Sequence, residues 1–99
     1  MTGRFEKKVW AAAKRIPAGR VATYADVARS IGNPRAVRAA GSALNKNPYR
    51  SVPCHRVVRS DGSVGGYARG VKKKIARLVS EGVIITGQRV SLKMFRHHL

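Results

Sequence analysis

Apolar residues recur at helical spacing near the start of the chain, at Phe5, Val9, Trp10 and Ala13. This periodicity predicts an amphipathic helix over residues 4–15, which the Pro17-Ala18-Gly19 segment ends. A short extended segment leads from there to Thr23. Thr23 and Asp26 stand three residues apart as in a capping box, so a second helix is expected over residues 24–31.

A third helix is predicted directly after the Gly32 stop of the second. Asn33 and Pro34 should serve as its N-cap and first helical residue, and it should run to about Leu44. Two short helices joined through such a turn predict a helix-turn-helix, a motif that inserts its second helix into DNA. That second helix would carry two arginines, Arg35 and Arg38.

The second half of the chain predicts short elements. Residues 57–58 should form a short strand, and residues 71–81 a helix whose inward side chains are Ile75, Leu78 and Val79. The lysine run at 72–74 should be solvated or face phosphate. Two apolar segments, 83–85 and 89–91, flank Thr86-Gly87-Gln88 and predict a hairpin. The expected fold is mainly α with a small β wing: a single winged-helix-like DNA-binding domain over residues 1–99, without an N-terminal domain.

Charge narrows the class of partner. The 99 residues include 21 Lys or Arg and 4 Asp or Glu, a formal net charge of +17. Such a charge favours a polyanion, and nucleic acid held through its phosphates is the first candidate. A membrane surface is the weaker alternative, because no long basic amphipathic helix stands out. Hydrophobic residues at 43% exclude a merely disordered basic tail, but a basic ribosome- or nucleoid-associated protein remains an alternative.

Location and metal content follow from what the sequence lacks. No apolar run approaches the roughly 20 residues of a membrane span, and the segment from Met1 to Lys7 has no signal core. One cysteine permits neither an internal disulfide nor a multi-cysteine zinc site. We therefore expect a cytoplasmic, nucleoid-associated or otherwise intracellular protein without a metal site, and we expect His97 and His98 to be exposed.

The single cysteine, Cys54, is the candidate nucleophile. His55 and Arg56 follow it directly, and nearby cationic side chains lower a thiol pKa. The alternative is an inert buried cysteine, which is common. Among the four acids, Glu81 lies near the end of a basic helix, where its simplest partner is Arg77.

The pattern around the cysteine resembles the O6-methylguanine-DNA methyltransferases, also called O6-alkylguanine-DNA alkyltransferases. The resemblance spans about residues 5–85, with its blocks in order. It is carried by Pro53-Cys54-His55-Arg56-Val57-Val58, Gly62, Val64-Gly65-Gly66-Tyr67, Gly70, Lys74 and Glu81-Gly82, and upstream by Arg20-Val21-Ala22-Thr23-Tyr24, by Gly32-Asn33-Pro34-Arg35-Ala36-Val37-Arg38-Ala39, by Gly41 and by Asn47-Pro48.

The resemblance implies a chemistry for these positions. Cys54 would accept the alkyl group, with His55 as the base through a water and Glu81 polarising that histidine. Tyr24 would help to rotate the nucleotide and donate a proton to the departing guanine. Arg38 would fill the gap that the extruded base leaves. Transfer would be irreversible and would need no cofactor.

The resemblance also implies a binding surface. Duplex DNA with O6-alkylguanine would be bound from the minor groove, with little sequence preference, by a monomer. The implied DNA-binding residues are Tyr24, Arg35, Arg38, Ala39 and Lys46. The implied substrate pocket comprises Asn47, Pro53, Val57, Tyr67 and Ala68, with Asn47 bracing the loop before the cysteine.

Two departures keep alternatives open. Larger members carry an additional N-terminal domain, and the loop between Pro48 and Pro53 has four residues where five are usual. Both features are typical of alkyltransferase-like proteins, which bind alkylated guanine and pass it to another repair pathway. Those relatives usually replace the cysteine, whereas this chain keeps Cys54, His55 and Glu81. A plain winged-helix DNA-binding protein with an inert cysteine is the third hypothesis.

Overall fold

The fold is described by a computed structural model for residues 3–99; Met1 and Thr2, which begin the segment without a signal core, lie outside the described residues. It is mainly helical with short strands. In chain order the elements are α1 (Arg4–Lys14), β1 (Ala22–Thr23), α2 (Tyr24–Ser30), α3 (Val37–Asn45), a 3-10 turn (Cys54–Arg56), β2 (Val57–Val58), α4 (Val71–Ser80), β3 (Ile85–Thr86), β4 (Arg89–Val90) and α5 (Leu92–Phe95).

The first two helices form where the sequence predicts them. Thr23 caps α2 through a complete capping box: its hydroxyl accepts from the Asp26 amide, and the Asp26 carboxylate accepts from the Thr23 amide, both at 3.0 Å. Gly32, with a φ of +78°, follows the end of α2. Such a φ favours glycine, so the stop was readable from the sequence.

The start of α3 differs from the prediction. Residues 33–36 form a separate turn in which the Ala36 amide donates to the Asn33 carbonyl, and the helix begins only at Val37. Asn33 and Pro34 are therefore not its cap and first residue. As a result, Arg38 lies on α3, whereas Arg35 lies in the turn before it.

A two-residue parallel pairing places the cysteine next to the helix-turn-helix. Ala22 pairs with Val57 and Thr23 with Val58, so β1 and β2 run side by side. β1 leads directly into Tyr24 of α2, and β2 directly follows the 3-10 turn that begins at Cys54. The chain thus brings two segments more than 30 residues apart to one place.

The inward face of α4 differs from the prediction at Val79 and Lys74. Leu78 is fully buried and Ile75 half-buried, as expected, but Val79 is 53% exposed. Lys74 is buried in its place, with 0% of its surface exposed. Lys72 and Lys73 are exposed, so the lysine run is split between solvent and interior.

The C-terminal segment closes the fold. β3 and β4 form the predicted hairpin, with positive φ angles at Gly87 and Gln88 in its turn. The segment then returns to β1, where Val21 exchanges backbone hydrogen bonds with Phe95 and His97. His98 is exposed as expected, while His97 is half-buried.

Two apolar clusters fill the interior. One joins α1, α2 and α3 and includes Trp10, whose indole donates to the Ala43 carbonyl at 2.9 Å. The other packs α4 against β2 and the hairpin around Leu78. Within residues 3–99, none of the helices combines the length and the apolar character that crossing a membrane requires.

Candidate active site and nucleic-acid interface

Cys54 lies in a small pocket between α3, the loop before the 3-10 turn and the loop after β2. The pocket has a volume of about 30 Å³, room for about two water molecules. Its lining residues are Leu44, Asn47, Tyr49, Arg50, Val52, Cys54, Tyr67, Ala68, Arg69 and Arg77.

Asn47 connects the pocket loop to the thiol. Its side-chain amide donates to the Tyr49 carbonyl at 2.8 Å and to the Cys54 sulfur at 3.1 Å, while its oxygen accepts from the Tyr49 amide at 2.9 Å. The shortened loop is therefore folded around Asn47. This geometry matches the bracing position that the sequence resemblance implied.

The thiol is not activated by its sequence neighbours. Burial raises the pKa of Cys54, and the hydrogen bond from Asn47 offsets this only in part. Arg56 turns away and donates to the Ile16 carbonyl at 2.8 Å. The expectation that the flanking His55 and Arg56 lower the thiol pKa is thus wrong, and the cysteine needs a base to take its proton.

His55 is available as that base. Only 1% of its surface is exposed, and burial lowers its pKa despite the nearby Glu81 carboxylate, which favours the neutral imidazole. Its Nε2 lies 3.1 Å from Glu81 Oε2, but without hydrogen-bond geometry, and neither ring nitrogen has a partner among the described residues. An imidazole with a free ring nitrogen can accept a proton, and His55 directly follows Cys54 in the chain.

Glu81 is shared between His55 and Arg56. Arg56 donates to both carboxylate oxygens, at 3.0 Å and 2.6 Å. Burial alone would raise the pKa of Glu81, but the Arg56 guanidinium, with His55 close by, outweighs it and lowers the pKa. Arg77, the simplest partner in sequence, instead donates to the Tyr67 hydroxyl at 2.9 Å.

Lys74 is a site residue that the sequence reasoning missed. Its ammonium donates to the Gly66 carbonyl at 3.0 Å and to the Tyr24 hydroxyl at 3.3 Å. Burial lowers the pKa of Lys74 to about 8 and raises that of Tyr24. Two signals were available: Lys74 lies four residues before Leu78, on the inward stripe of α4, and it is among the residues that carry the family resemblance.

Only some of the predicted pocket residues line the pocket, whereas most of the predicted DNA-binding residues are exposed. Tyr67 and Ala68 line the pocket with Asn47, whereas Pro53 and Val57 are buried and do not line it. The predicted DNA-binding residues Arg35, Arg38, Ala39 and Lys46 are exposed, and Tyr24 is half-buried. The exposed ones follow one another along the turn before α3, along α3 and just beyond its end, where they are accessible to a duplex.

Comparison with known sequences identifies relatives over most of the chain. The family described as "6-O-methylguanine DNA methyltransferase, DNA binding domain" matches residues 4–83. The methylated-DNA--protein-cysteine methyltransferase of Methanosarcina acetivorans is 49% identical over 79 residues, 79% of this chain and 51% of that relative. The chain spans about half or less of the length of the curated relatives it matches.

Solved structures show the same fold. Schizosaccharomyces pombe Atl1 in complex with damaged DNA containing O6-carboxymethylguanine aligns with a TM-score of 0.86 at 30% identity, covering 100% of this chain and 99% of that one. Mycobacterium tuberculosis OGT in complex with DNA aligns at 0.79 and 40% identity, covering 83% of this chain and 51% of that one. Both neighbours are bound to DNA.

Proposed function

The chain belongs to the family of the 6-O-methylguanine DNA methyltransferase DNA-binding domain, and from this membership we propose that it transfers an alkyl group from O6-alkylguanine in double-stranded DNA to Cys54. The main support for the proposal is the pocket: the only cysteine of the chain lines it and accepts a hydrogen bond from Asn47. The sulfur forms a bond to the alkyl carbon while the bond from that carbon to O6 breaks. The thioether does not hydrolyse, so each molecule acts once.

The raised pKa of Cys54 makes proton removal part of the reaction. Neutral His55 takes the thiol proton, through a bridging water, and the Glu81 carboxylate stabilises the imidazolium that forms. Because Arg56 already neutralises much of the charge of Glu81, loss of His55 should slow transfer more than loss of the Glu81 charge. We expect His55→Ala to slow transfer roughly 100-fold, the lower range for a general base. No cofactor or metal ion is required.

The target base must leave the duplex stack before it reaches the thiol, which costs a few kcal/mol. The net charge of +17 supplies phosphate contacts without sequence preference. Arg38, exposed on the second helix of the helix-turn-helix, enters from the minor groove and occupies the place of the extruded base. One chain suffices for one lesion.

The test is the intact mass of the protein after incubation with a methylated duplex. We expect one added methyl group, mapped to Cys54. Cys54→Ser should abolish the mass change and leave DNA affinity largely unchanged. An unchanged mass with guanine still methylated would reject the proposal.

A damage sensor is the second candidate. Atl1, an alkyltransferase-like protein, aligns over 100% of this chain, including the C-terminal segment beyond residue 83. A sensor would bind the methylated duplex more tightly than the unmodified one and leave both the lesion and Cys54 unchanged. The mass measurement and a binding titration on the same sample separate the two functions.

A further inference from the structure

Lys74 is the one lysine that the fold takes wholly out of water. An ammonium buried at 0% exposure is costly unless it is well bonded. Within residues 3–99, however, none of the ion pairs includes Lys74: the paired carboxylates, Asp26, Asp61 and Glu81, are bound by other side chains. A buried, titratable group held without a counterion is typical of functional sites.

The contacts of Lys74 point to Tyr24. An ammonium can only donate hydrogen bonds, so the Tyr24 oxygen, 3.3 Å away, accepts from it. The hydrogen of the Tyr24 hydroxyl is therefore left free to point elsewhere. The ammonium also lies 5.6 Å from the centre of the Tyr24 ring, within cation–π range.

The second contact joins this pair to the pocket. Lys74 donates to the Gly66 carbonyl at 3.0 Å, and Gly66 directly precedes Tyr67 and Ala68 of the pocket wall. Tyr24 begins the first helix of the helix-turn-helix. One ammonium thus links the DNA-facing motif to the loop that shapes the alkyl pocket.

We propose that Lys74 is a positioning residue for alkyl transfer: it holds the Tyr24 oxygen as an acceptor, so that Tyr24 donates its proton to the departing guanine. This inference rests on the proposed function and deepens it. As the bond from the alkyl carbon to O6 breaks, the electron pair remains on the purine, which takes the Tyr24 proton. The resulting tyrosinate is stabilised by the adjacent ammonium until solvent returns a proton.

A pH signature follows from the groups that face the pair. Arg59 repels the ammonium and favours its loss of a proton, while a Cys54 thiolate would favour the charged form, and burial dominates both. Because the pKa of Lys74 is about 8, its ammonium loses a proton above about pH 8. The resulting amine can accept the Tyr24 hydrogen, which is then no longer free to be donated to the guanine. Transfer should therefore decline as the pH rises through about 8.

The experiment measures the single-turnover transfer rate on saturating methylated duplex from about pH 6 to about pH 9.5. Lys74→Met should be roughly tenfold slower and lose the decline near pH 8. Tyr24→Phe should show the same two changes, and the double variant no further loss. Lys73→Met, an exposed neighbour on the same helix, is the matched control and should keep the wild-type rate and profile.

Wild-type rate and pH profile in Lys74→Met would overturn the inference, as would additive losses in the double variant. If Lys74→Met fails to fold, NMR titration of the Lys74 side chain in the wild-type protein decides: a pKa near 8 accompanied by a Tyr24 ring shift supports the pairing. An ordinary lysine pKa contradicts it. If the wild-type protein transfers no alkyl group, the proposed function is wrong. The NMR titration of Lys74 then tests the Lys74–Tyr24 pairing independently.

Discussion

Two carboxylates in this molecule are each bound by an arginine fork, yet their surroundings give them different tasks. Asp26 lies at the start of α2 and accepts from Arg96, 70 residues away, on both of its oxygens. Glu81 follows α4 and accepts from Arg56 on both of its oxygens. The local chemistry is the same: a bidentate arginine and a pKa held below the ordinary value.

The difference lies in the remaining donors. Asp26 also binds the Thr23 amide and Arg29, so each of its oxygens has two donors. It is 2% exposed and ties the C-terminal segment to the helix-turn-helix. Beside Arg56, Glu81 has His55 as its other neighbour, and His55 directly follows Cys54, the proposed nucleophile. A saturated carboxylate stabilises the fold, whereas one that faces a histidine can also respond to its charge.

The largest effect is expected at the saturated site. Asp26→Asn removes the charge that Arg96 and Arg29 share. Because the carboxylate is buried although both arginines are partly exposed, this change should lower the free energy of unfolding by about 3 kcal/mol, the lower end for such pairs. Transfer per folded molecule should stay at the wild-type rate. Chemical unfolding measures the stability, and single-turnover kinetics measures the transfer rate. Slowed transfer with unchanged stability would show that Asp26 acts in the reaction and not in the fold.

The pH dependence of stability sharpens the same contrast. The pKa of Asp26 falls from an ordinary 3.8 to about 2 because, although burial alone would raise it, Arg96 and Thr23 outweigh burial. A depressed carboxyl pKa stabilises the fold above the unfolded value, so the contribution of about 2 kcal/mol is complete above about pH 4 and lost towards pH 2.

The stability gap between wild type and Asp26→Asn should therefore narrow as the pH falls through this window. Urea titrations of both proteins at neutral and acid pH measure it. A gap that is constant with pH would show that the carboxylate charge of Asp26 contributes nothing to the fold.

At the second carboxylate the effect should appear in the rate. Glu81→Gln keeps the shape and an acceptor for Arg56, so stability should fall less than in Asp26→Asn. Transfer should slow on the order of tenfold, less than for loss of the base, because Arg56 already neutralises much of the charge. Equal transfer rates in wild type and Glu81→Gln would make Glu81 a second purely structural carboxylate.

The smallest effect separates base extrusion from phosphate binding. Arg38→Ala should slow transfer from duplex roughly fivefold, about 1 kcal/mol, and leave transfer from the free methylated base unchanged. A mismatch opposite the lesion should partly restore the rate, since that base is easier to unstack. Arg35→Ala, in the turn before α3, should only weaken binding and change the salt slope by about one. Identical behaviour of the two variants would make Arg38 an ordinary phosphate contact.

Much of the fold could be predicted because its signals are local. The capping box at Thr23 and the turn at Gly87 depend on residues within three or four positions of each other. The start of α3 was mispredicted because Asn33 and Pro34 favour a turn as readily as a helix start. Only the packing of the whole unit decides between the two.

The candidate site was predicted less completely because it depends on distant contacts. The family resemblance singled out Cys54, His55 and Glu81 as candidates, but it did not predict that Arg56 would bind both oxygens of a carboxylate 25 residues away. Lys74 was expected to be exposed with its neighbours in the lysine run. Its partner on α2 lies 50 residues earlier in the chain, beyond the reach of any periodicity.

The most direct test of the account is a stoichiometric titration of the protein with an increasing excess of methylated duplex. We measure restored guanine and alkylated Cys54 in the same samples. The account predicts that both rise together and stop at one per protein molecule, with neither appearing in Cys54→Ser. A tight complex in which the guanine stays methylated, or repair that continues past one per molecule, would contradict it.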